Sequence, residues 1–339
     1  MGTSKNIVIF ADGTGQEGGR GNNTNVYKLF NMVAERTKHQ IVFYDRGLGT
    51  GWRKVSGNLF GAGINQNIKE CYSFIFEHYR AGDKIYLIGF SRGAATVRSL
   101  SSFIHYFGIL PQSRPELIDQ AYDIYKIAND EKRERKAKEF IANNHTMWTH
   151  IEFIGVWDTV SALGIPIKSI DVATQKIPFM CNKYHNFKLS PSVKYAYQAL
   201  AIDDYRDTFH PVLWEDSKEE YQTIEQVWFV GSHTDIGGGY KEQQLSDIPL
   251  QWLVAKAIKK GLLIYPSNRV AIDPDVNGVS HDSRKEFPMN FYKKSPRRWD
   301  SAVHGQLLIH ESVKERRLDV DGNPYNPWIF ELDYAVTKN

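Results

Sequence analysis

One stretch decides the fold of this chain: Lys84-Ile85-Tyr86-Leu87-Ile88-Gly89-Phe90-Ser91-Arg92-Gly93-Ala94-Ala95. It starts as an apolar run typical of a buried strand and continues into small residues that open a helix. Between the two, Ser91 lies in a Gly-x-Ser-x-Gly motif, the layout of a nucleophile elbow. We expect glycine at positions 89 and 93 because a Cβ atom at either would collide with neighbouring backbone.

Strands and helices alternate on both sides of this stretch. Apolar runs end at Phe10 and Tyr44, and apolar residues recur at helical spacing over 64–79. Such alternation is typical of a mostly parallel sheet with helices on both faces. The sequence therefore predicts an α/β fold for the whole chain, 1–339, as a single domain.

Three segments have less regular patterns. Residues 162–192 are rich in isoleucine without a period, which predicts either a cap or lid insertion or an irregular surface loop. Residues 192–202 are predicted to form a short helix. Residues 262–339 are polar and turn-rich, which predicts an irregular C-terminal extension.

Composition indicates an ordinary soluble protein. Apolar residues make up 42 % of the chain, the net charge is +3, and no run approaches twenty apolar residues. The charge is too small to indicate a nucleic-acid partner. Cys71 and Cys181 form no disulfide framework or metal motif. With no signal peptide, we expect a cytoplasmic location, with signal-independent export as the alternative.

Polar residues follow each of the five predicted strands. Parallel sheets gather functional groups at the carboxyl edge of their strands. These strand ends are Asp12-Gly13-Thr14, Asp45-Arg46, Ser91, Asp158-Thr159 and His233-Thr234-Asp235. The sequence therefore predicts a functional site where they converge.

Three of these residues have the types that serine chemistry requires. A serine hydroxyl needs a base to take its proton, and that base needs an orienting carboxylate. Ser91, Asp158 and His233 occur in the chain order of the α/β-hydrolase triad. They predict a nucleophile, an orienting acid and a general base, and they refine the fold to α/β-hydrolase-like. For the two oxyanion-hole donors we expect the N–H of Arg92 and one from the loop Asp12-Gly13-Thr14, where Gly13 allows close approach.

Other assignments stay open at this level. His310 is the alternative base, and Asp235 the alternative acid. Asp12, Asp158, His233 and Asp235 are also ligand types for a divalent cation, so a metal-assisted hydrolase is the second hypothesis. The third is a non-catalytic binding module on a hydrolase scaffold. The preferred serine mechanism needs no cofactor and no metal.

The motifs together resemble one family, the α/β-hydrolases known as domain of unknown function 2235. The resemblance covers about residues 5–260. It is carried by Val8-Ile9-Phe10-Ala11-Asp12-Gly13-Thr14, Thr24-Asn25-Val26, Tyr44-Asp45-Arg46-Gly47-Leu48-Gly49-Thr50, the segment 82–94, Gly155-Val156-Trp157-Asp158-Thr159-Val160, the segment 199–206 and the segment 227–240.

That family is related to the first class of type VI secretion lipase effectors, which are antibacterial phospholipases. The resemblance implies a Ser-Asp-His esterase with Ser91, Asp158 and His233 at the matching positions. The resemblance does not fix the substrate. We expect an ester or lipid, with lipid or phospholipid acyl esters preferred, and transient contact with a membrane. Oligomeric state does not follow from the resemblance.

Overall fold

The apolar runs of the sequence form the strands of one parallel sheet. The computed structural model describes residues 4–13, 18–19, 21–33, 37–47, 57–160, 188–266, 268–285 and 294–338. The strands are β1 (Asn6–Ala11), β2 (Gln40–Asp45), β3 (Lys84–Phe90), β4 (Ile151–Trp157), β5 (Val193–Ala201), β6 (Thr223–Phe229), β7 (Leu307–His310) and β8 (Tyr334–Thr337). Their order in the sheet is β2-β1-β3-β4-β5-β6-β7-β8, and each neighbouring pair is parallel.

Helices connect the strands and cover both faces of the sheet. They are α1 (Asn25–Met32), α2 (Gly57–His78), α3 (Arg92–Phe107), α4 (Leu117–Tyr125), α5 (Asp130–Asn144), α6 (His233–Gly237), α7 (Gln244–Lys259), α8 (Ser301–His304) and α9 (Ser312–Glu315). Short 3₁₀ turns span Asp207–Phe209 and Trp328–Glu331. The predicted α/β-hydrolase-like fold, with a mostly parallel sheet between helices, is confirmed.

The two faces of the sheet support two hydrophobic cores, and β1 contributes to both. Ile7 and Ile9 pack into the core that contains α2 to α5, while Val8 and Phe10 pack into the core that contains α1 and α7. All four side chains are fully buried. A strand covered on both faces must be apolar at successive positions, which explains its continuous apolar run.

Two segments differ from their predictions. Residues 192–202 are not a helix: they contain β5, which pairs with β4 on one side and β6 on the other. The C-terminal extension, 262–339, is not irregular throughout, because β7 and β8 within it extend the sheet. Residues 161–187, which hold most of the predicted cap or lid, lie outside the described residues, as does Cys181. Cys71 is a buried free thiol on α2.

Candidate active site

Ser91 occupies a sharp turn between β3 and α3. Its backbone has φ +57° and ψ −119°, a conformation that non-glycine residues adopt at a cost in strain. The Ser91 N–H donates to the carbonyl of Trp157 at 3.1 Å, which ties the turn to the end of β4. The side chain is thereby held at the carboxyl edge of the sheet.

The glycines that flank Ser91 are required by close backbone approach. A Cβ atom at Gly89 would lie 2.7 Å from the carbonyl oxygen of Gly93, inside the same turn. A Cβ atom at Gly93 would lie 2.0 Å from the carbonyl oxygen of Ala11, at the end of β1. The predicted collisions are confirmed, and Gly93 allows α3 to start directly against β1.

Gly93→Ala should lower the free energy of unfolding by about 1–3 kcal/mol or more, because its Cβ can be accommodated only by moving β1 or the elbow. Gly322→Ala is the comparison: its φ is +82°, but no atom lies within 4 Å of the added Cβ, so only backbone strain is introduced. Chemical denaturation of both variants measures the difference. A Gly93→Ala protein as stable as the wild type would contradict the close approach.

A continuous path of hydrogen bonds joins the three residues predicted to act together. Ser91 Oγ lies 2.9 Å from His233 Nε2, and His233 Nδ1 lies 2.5 Å from Asp158 Oδ2. Asp158 follows β4 directly and has φ +42°, while His233 is the first residue of α6 after β6. All three side chains are buried, with Asp158 at 0 % exposure. The structure therefore brings together residues that are separated by up to 142 positions.

The imidazole of His233 is enclosed by aromatic rings. Phe90 and Phe209 flank it at centroid distances of 4.7 and 5.4 Å. Burial lowers the pKa of His233, and the hydrogen bond to Asp158 opposes this only in part. An imidazole with a lowered pKa is neutral at physiological pH, which is the form that can accept a proton.

Asp158 has a second partner, Arg297, that no sequence motif predicts. Arg297 donates to Oδ1 at 2.5 Å and to Oδ2 at 2.8 Å, in a bidentate arrangement. Burial alone would raise the pKa of Asp158, but the charge and hydrogen bonds of Arg297 outweigh it and hold that pKa below its usual range. Arg297 lies in no recognisable motif, and only the folded chain places it beside a residue 139 positions away.

The short helix α6 is fixed at both ends. At its start, the backbone N–H of His233 donates to Asp204 Oδ2 at 3.1 Å, and Asp204 is paired with Arg206 at 2.5 Å. At its end, the side chain of Asn25 donates to the carbonyl of Ile236 at 2.9 Å. These contacts limit the movement of the His233 imidazole relative to Ser91.

The predicted oxyanion-hole donors lie beside the elbow. Arg92 is the first residue of α3, a helix end where backbone N–H groups are available to an anion. The Gly13 N–H donates to Asp12 Oδ1 at 2.7 Å, while Asp12 Oδ2 accepts from Thr24 and Tyr44 at 2.6 and 2.7 Å. Asp12 thus fixes the loop after β1, and burial raises its pKa to about 6. Thr14 lies outside the described residues.

The alternative residues have other partners. His310, at the end of β7, lies 2.9 Å from Ser312 Oγ and stacks on Phe229 at 4.8 Å. Asp235 closes a capping box with Ser232 at the start of α6 and accepts from His281 at 2.7 Å. In the parts of the chain that the structure describes, no group of three or more His, Cys, Asp or Glu side chains could hold a metal ion. The alternative hypothesis, a metal site built from Asp12, Asp158, His233 and Asp235, finds no such group among the described residues.

Comparisons with known proteins give partial matches. The chain is 27 % identical over 199 residues to an uncharacterized protein of Saccharomyces cerevisiae, YEL023C, and this match covers 51 % of the chain and 29 % of the yeast protein. An uncharacterized protein from Pseudomonas aeruginosa has a TM-score of 0.48 at 14 % identity, with 80 % of this chain and 49 % of that chain covered. The Tle1 effector bound to the VgrG spike of the type VI secretion system has a TM-score of 0.37 at 20 % identity, with 71 % and 52 % covered. The chain thus spans about half or less of the length of these relatives.

A family model described as type VI secretion system, phospholipase effector Tle1-like, catalytic domain, matches residues 5–256. The matched part contains Ser91, Asp158 and His233 and ends before Arg297. The chain therefore belongs to the family of Tle1-like phospholipase effector catalytic domains.

Proposed function

We propose that this protein is a serine hydrolase that cleaves carboxylic esters through an acyl-enzyme intermediate. The observation that carries the proposal is the path from Ser91 Oγ through the His233 imidazole to Asp158, with distances of 2.9 and 2.5 Å. In this path the proposed nucleophile, Ser91, contacts the proposed base, His233, and that base contacts the proposed orienting carboxylate, Asp158. The chemistry follows from this arrangement.

In the first half of the reaction, His233 Nε2 takes the proton of Ser91 as Oγ attacks the ester carbonyl. The carbonyl oxygen becomes an oxyanion, and the N–H of Arg92, the first residue of α3, is its proposed first donor. When the tetrahedral intermediate collapses, His233 protonates the departing alcohol and the acyl group stays on Ser91. In the second half, His233 activates a water that hydrolyses the acyl-enzyme and regenerates the serine.

Gly13 is the proposed second oxyanion donor. Its N–H is directed to the carboxylate of Asp12 at 2.7 Å, so it must turn from that carboxylate to the substrate when the oxyanion forms. Asp12 stays anchored by Thr24 and Tyr44 and keeps the loop beside the elbow. The loop is thus held in place while one N–H changes its acceptor.

Lipid or phospholipid acyl esters are the proposed substrates, on the strength of the family match over residues 5–256. Such substrates require transient contact with a membrane. Within the described ranges, every helix is too short or too polar to cross a bilayer. A cytoplasmic location, with signal-independent export as an effector as the alternative, stays a prediction.

A fluorophosphonate probe and a panel of esters test the proposal together. We expect the probe to modify a single peptide containing Ser91, because only an activated serine reacts with it. Short acyl esters and phospholipids in vesicles are then compared as substrates, with heat-unfolded protein as the control. An absence of labelling at Ser91 would favour the binding module. Turnover of short soluble esters without any phospholipid hydrolysis would contradict the lipid substrate.

A further inference from the structure

Arg297 is a buried cation that contacts the proposed catalytic acid. Its exposed fraction is 1 %, and it comes from the segment 294–300 rather than from the matched residues 5–256. Besides the two bonds to Asp158, it donates to the carbonyls of Ala201 at 2.8 Å and Phe209 at 2.9 Å. The guanidinium is thus held beside Asp158 by the carbonyl groups of β5 and of the turn that carries Phe209.

We infer that Arg297 is a positioning residue: it orients the Asp158 carboxylate towards His233 and offsets its charge, so that His233 remains unprotonated at lower pH. The inference rests on the proposed function, since it assigns the base to His233. It adds a residue from the C-terminal segment to the machinery of the reaction.

The orienting effect follows from geometry. Two N–H groups of one planar guanidinium bind the two carboxylate oxygens, which fixes the plane of the carboxylate as well as its position. The backbone N–H of Ala201 adds a third bond, to Oδ1 at 3.0 Å. Asp158 Oδ2 is thereby directed at His233 Nδ1, which in turn directs His233 Nε2 at Ser91 Oγ.

The charge effect follows from the pairing of the surrounding groups. An isolated buried carboxylate beside His233 would strongly favour a proton on the imidazole. The cation of Arg297 offsets that attraction. The neighbouring carboxylate of Asp204 has a cation of its own, Arg206 at 2.5 Å. Asp203 accepts a hydrogen bond from Tyr325, and Asp235 accepts one from His281. Removing Arg297 therefore leaves the Asp158 carboxylate beside His233 without the guanidinium that contacts it.

Two substitutions separate the effects. Arg297→Met removes both the charge and the hydrogen bonds, so the acidic midpoint of the pH profile of kcat/KM should rise by about one unit. The rate at the optimum should fall at least ~10-fold. Arg297→Lys keeps the charge but loses the bidentate geometry. We expect it to lower kcat with little change in KM while its acidic midpoint stays near the wild-type value.

Arg98→Met is the matched control. Arg98 is another fully buried arginine, donating to the Val212 carbonyl at 2.6 Å and stacked on Trp214. Its loss should leave the acidic midpoint unchanged. A folded Arg297→Met protein with the wild-type midpoint would overturn the charge effect. If that variant does not fold, Arg297→Lys still tests the orienting effect. A wild-type kcat in Arg297→Lys would overturn that effect.

A second readout does not depend on catalysis. In protein labelled with ¹⁵N-histidine, the His233 signals are assigned by comparison with His233→Asn, and their titration should shift to higher pH in Arg297→Met. If Ser91 reacts with no probe but this titration still shifts, the proposed function fails while the charge effect stands. If Ser91 is labelled and the titration does not shift, the inference about Arg297 fails alone.

Discussion

Ser91→Ala should lower kcat/KM for ester hydrolysis by at least ~10³-fold and abolish labelling by a fluorophosphonate. The variant loses the Oγ atom that lies 2.9 Å from His233 Nε2, so no atom remains to accept the acyl group. It keeps the Cβ atom, so the strain at φ +57° stays the same and the fold should be unaffected. Single-turnover assays and mass spectrometry of the labelled peptide measure both effects.

The control is Ser101→Ala. Ser101 is another buried serine, and it lies on α3, the helix that starts directly after Ser91. Its hydroxyl donates to the carbonyl of Arg98 at 2.7 Å and has no contact with His233 among the described hydrogen bonds. This variant should keep wild-type turnover and labelling. Ester hydrolysis that survives in Ser91→Ala would rule out the serine mechanism, and dependence of that residual activity on Mg²⁺ or Mn²⁺ would instead favour a metal-assisted reaction.

His233→Ala should lower kcat by a comparable factor, at least ~10³-fold, while His310→Ala should retain turnover near the wild-type value. Of these two histidines, only His233 has an imidazole that contacts both Ser91 and a carboxylate, at 2.9 and 2.5 Å. His310 stacks on Phe229 and contacts Ser312, so its removal should cost stability rather than catalysis. The measurement is kcat per folded molecule, with the folded fraction taken from thermal unfolding.

The pair of histidine variants is informative because both side chains are buried at strand ends. Each variant loses a ring that packs against a phenylalanine of the same hydrophobic core, Phe90 or Phe229, so a general loss of packing would affect the two alike. If kcat falls in His233→Ala but not in His310→Ala, loss of proton transfer is the cause of the lower rate. Full activity in His233→Ala, or an equal loss in both variants, would contradict the assignment of the base.

The central strands could be predicted because burial on two faces demands apolar residues at every position. This holds for β1 and β3, whose interiors are fully buried. β5 was missed for a physical reason. Its Gln198 is fully buried and bonds to Gln226 on β6 and to Thr159 after β4, so its polar group is satisfied only by distant residues. Such a residue interrupts the apolar pattern of a strand.

The candidate site could be predicted in part: the residues that follow strands could be found from the sequence, and Arg297 could not. Ser91, Asp158 and His233 follow strands of one parallel sheet, and that topology alone brings their side chains to the same edge. Arg297 lies outside the described strands and belongs to no motif. Its partner is fixed by the path of the chain after α7, which no local pattern encodes. The alternative His310 also ends a strand, and only its side-chain contacts separate it from His233.

The place of Arg297 in the chain bears on how the protein matures during synthesis. Ser91, Asp158 and His233 emerge from a ribosome well before residue 297, and so do all six strands, β1 to β6, that precede β7. Until Arg297 arrives, a nascent chain that has folded this far holds a buried carboxylate without its cation, an unfavourable state. Completion of the charge pair therefore waits until residue 297 has been synthesised, and a chain interrupted before that point contains every proposed catalytic group yet lacks the residue proposed to set their alignment.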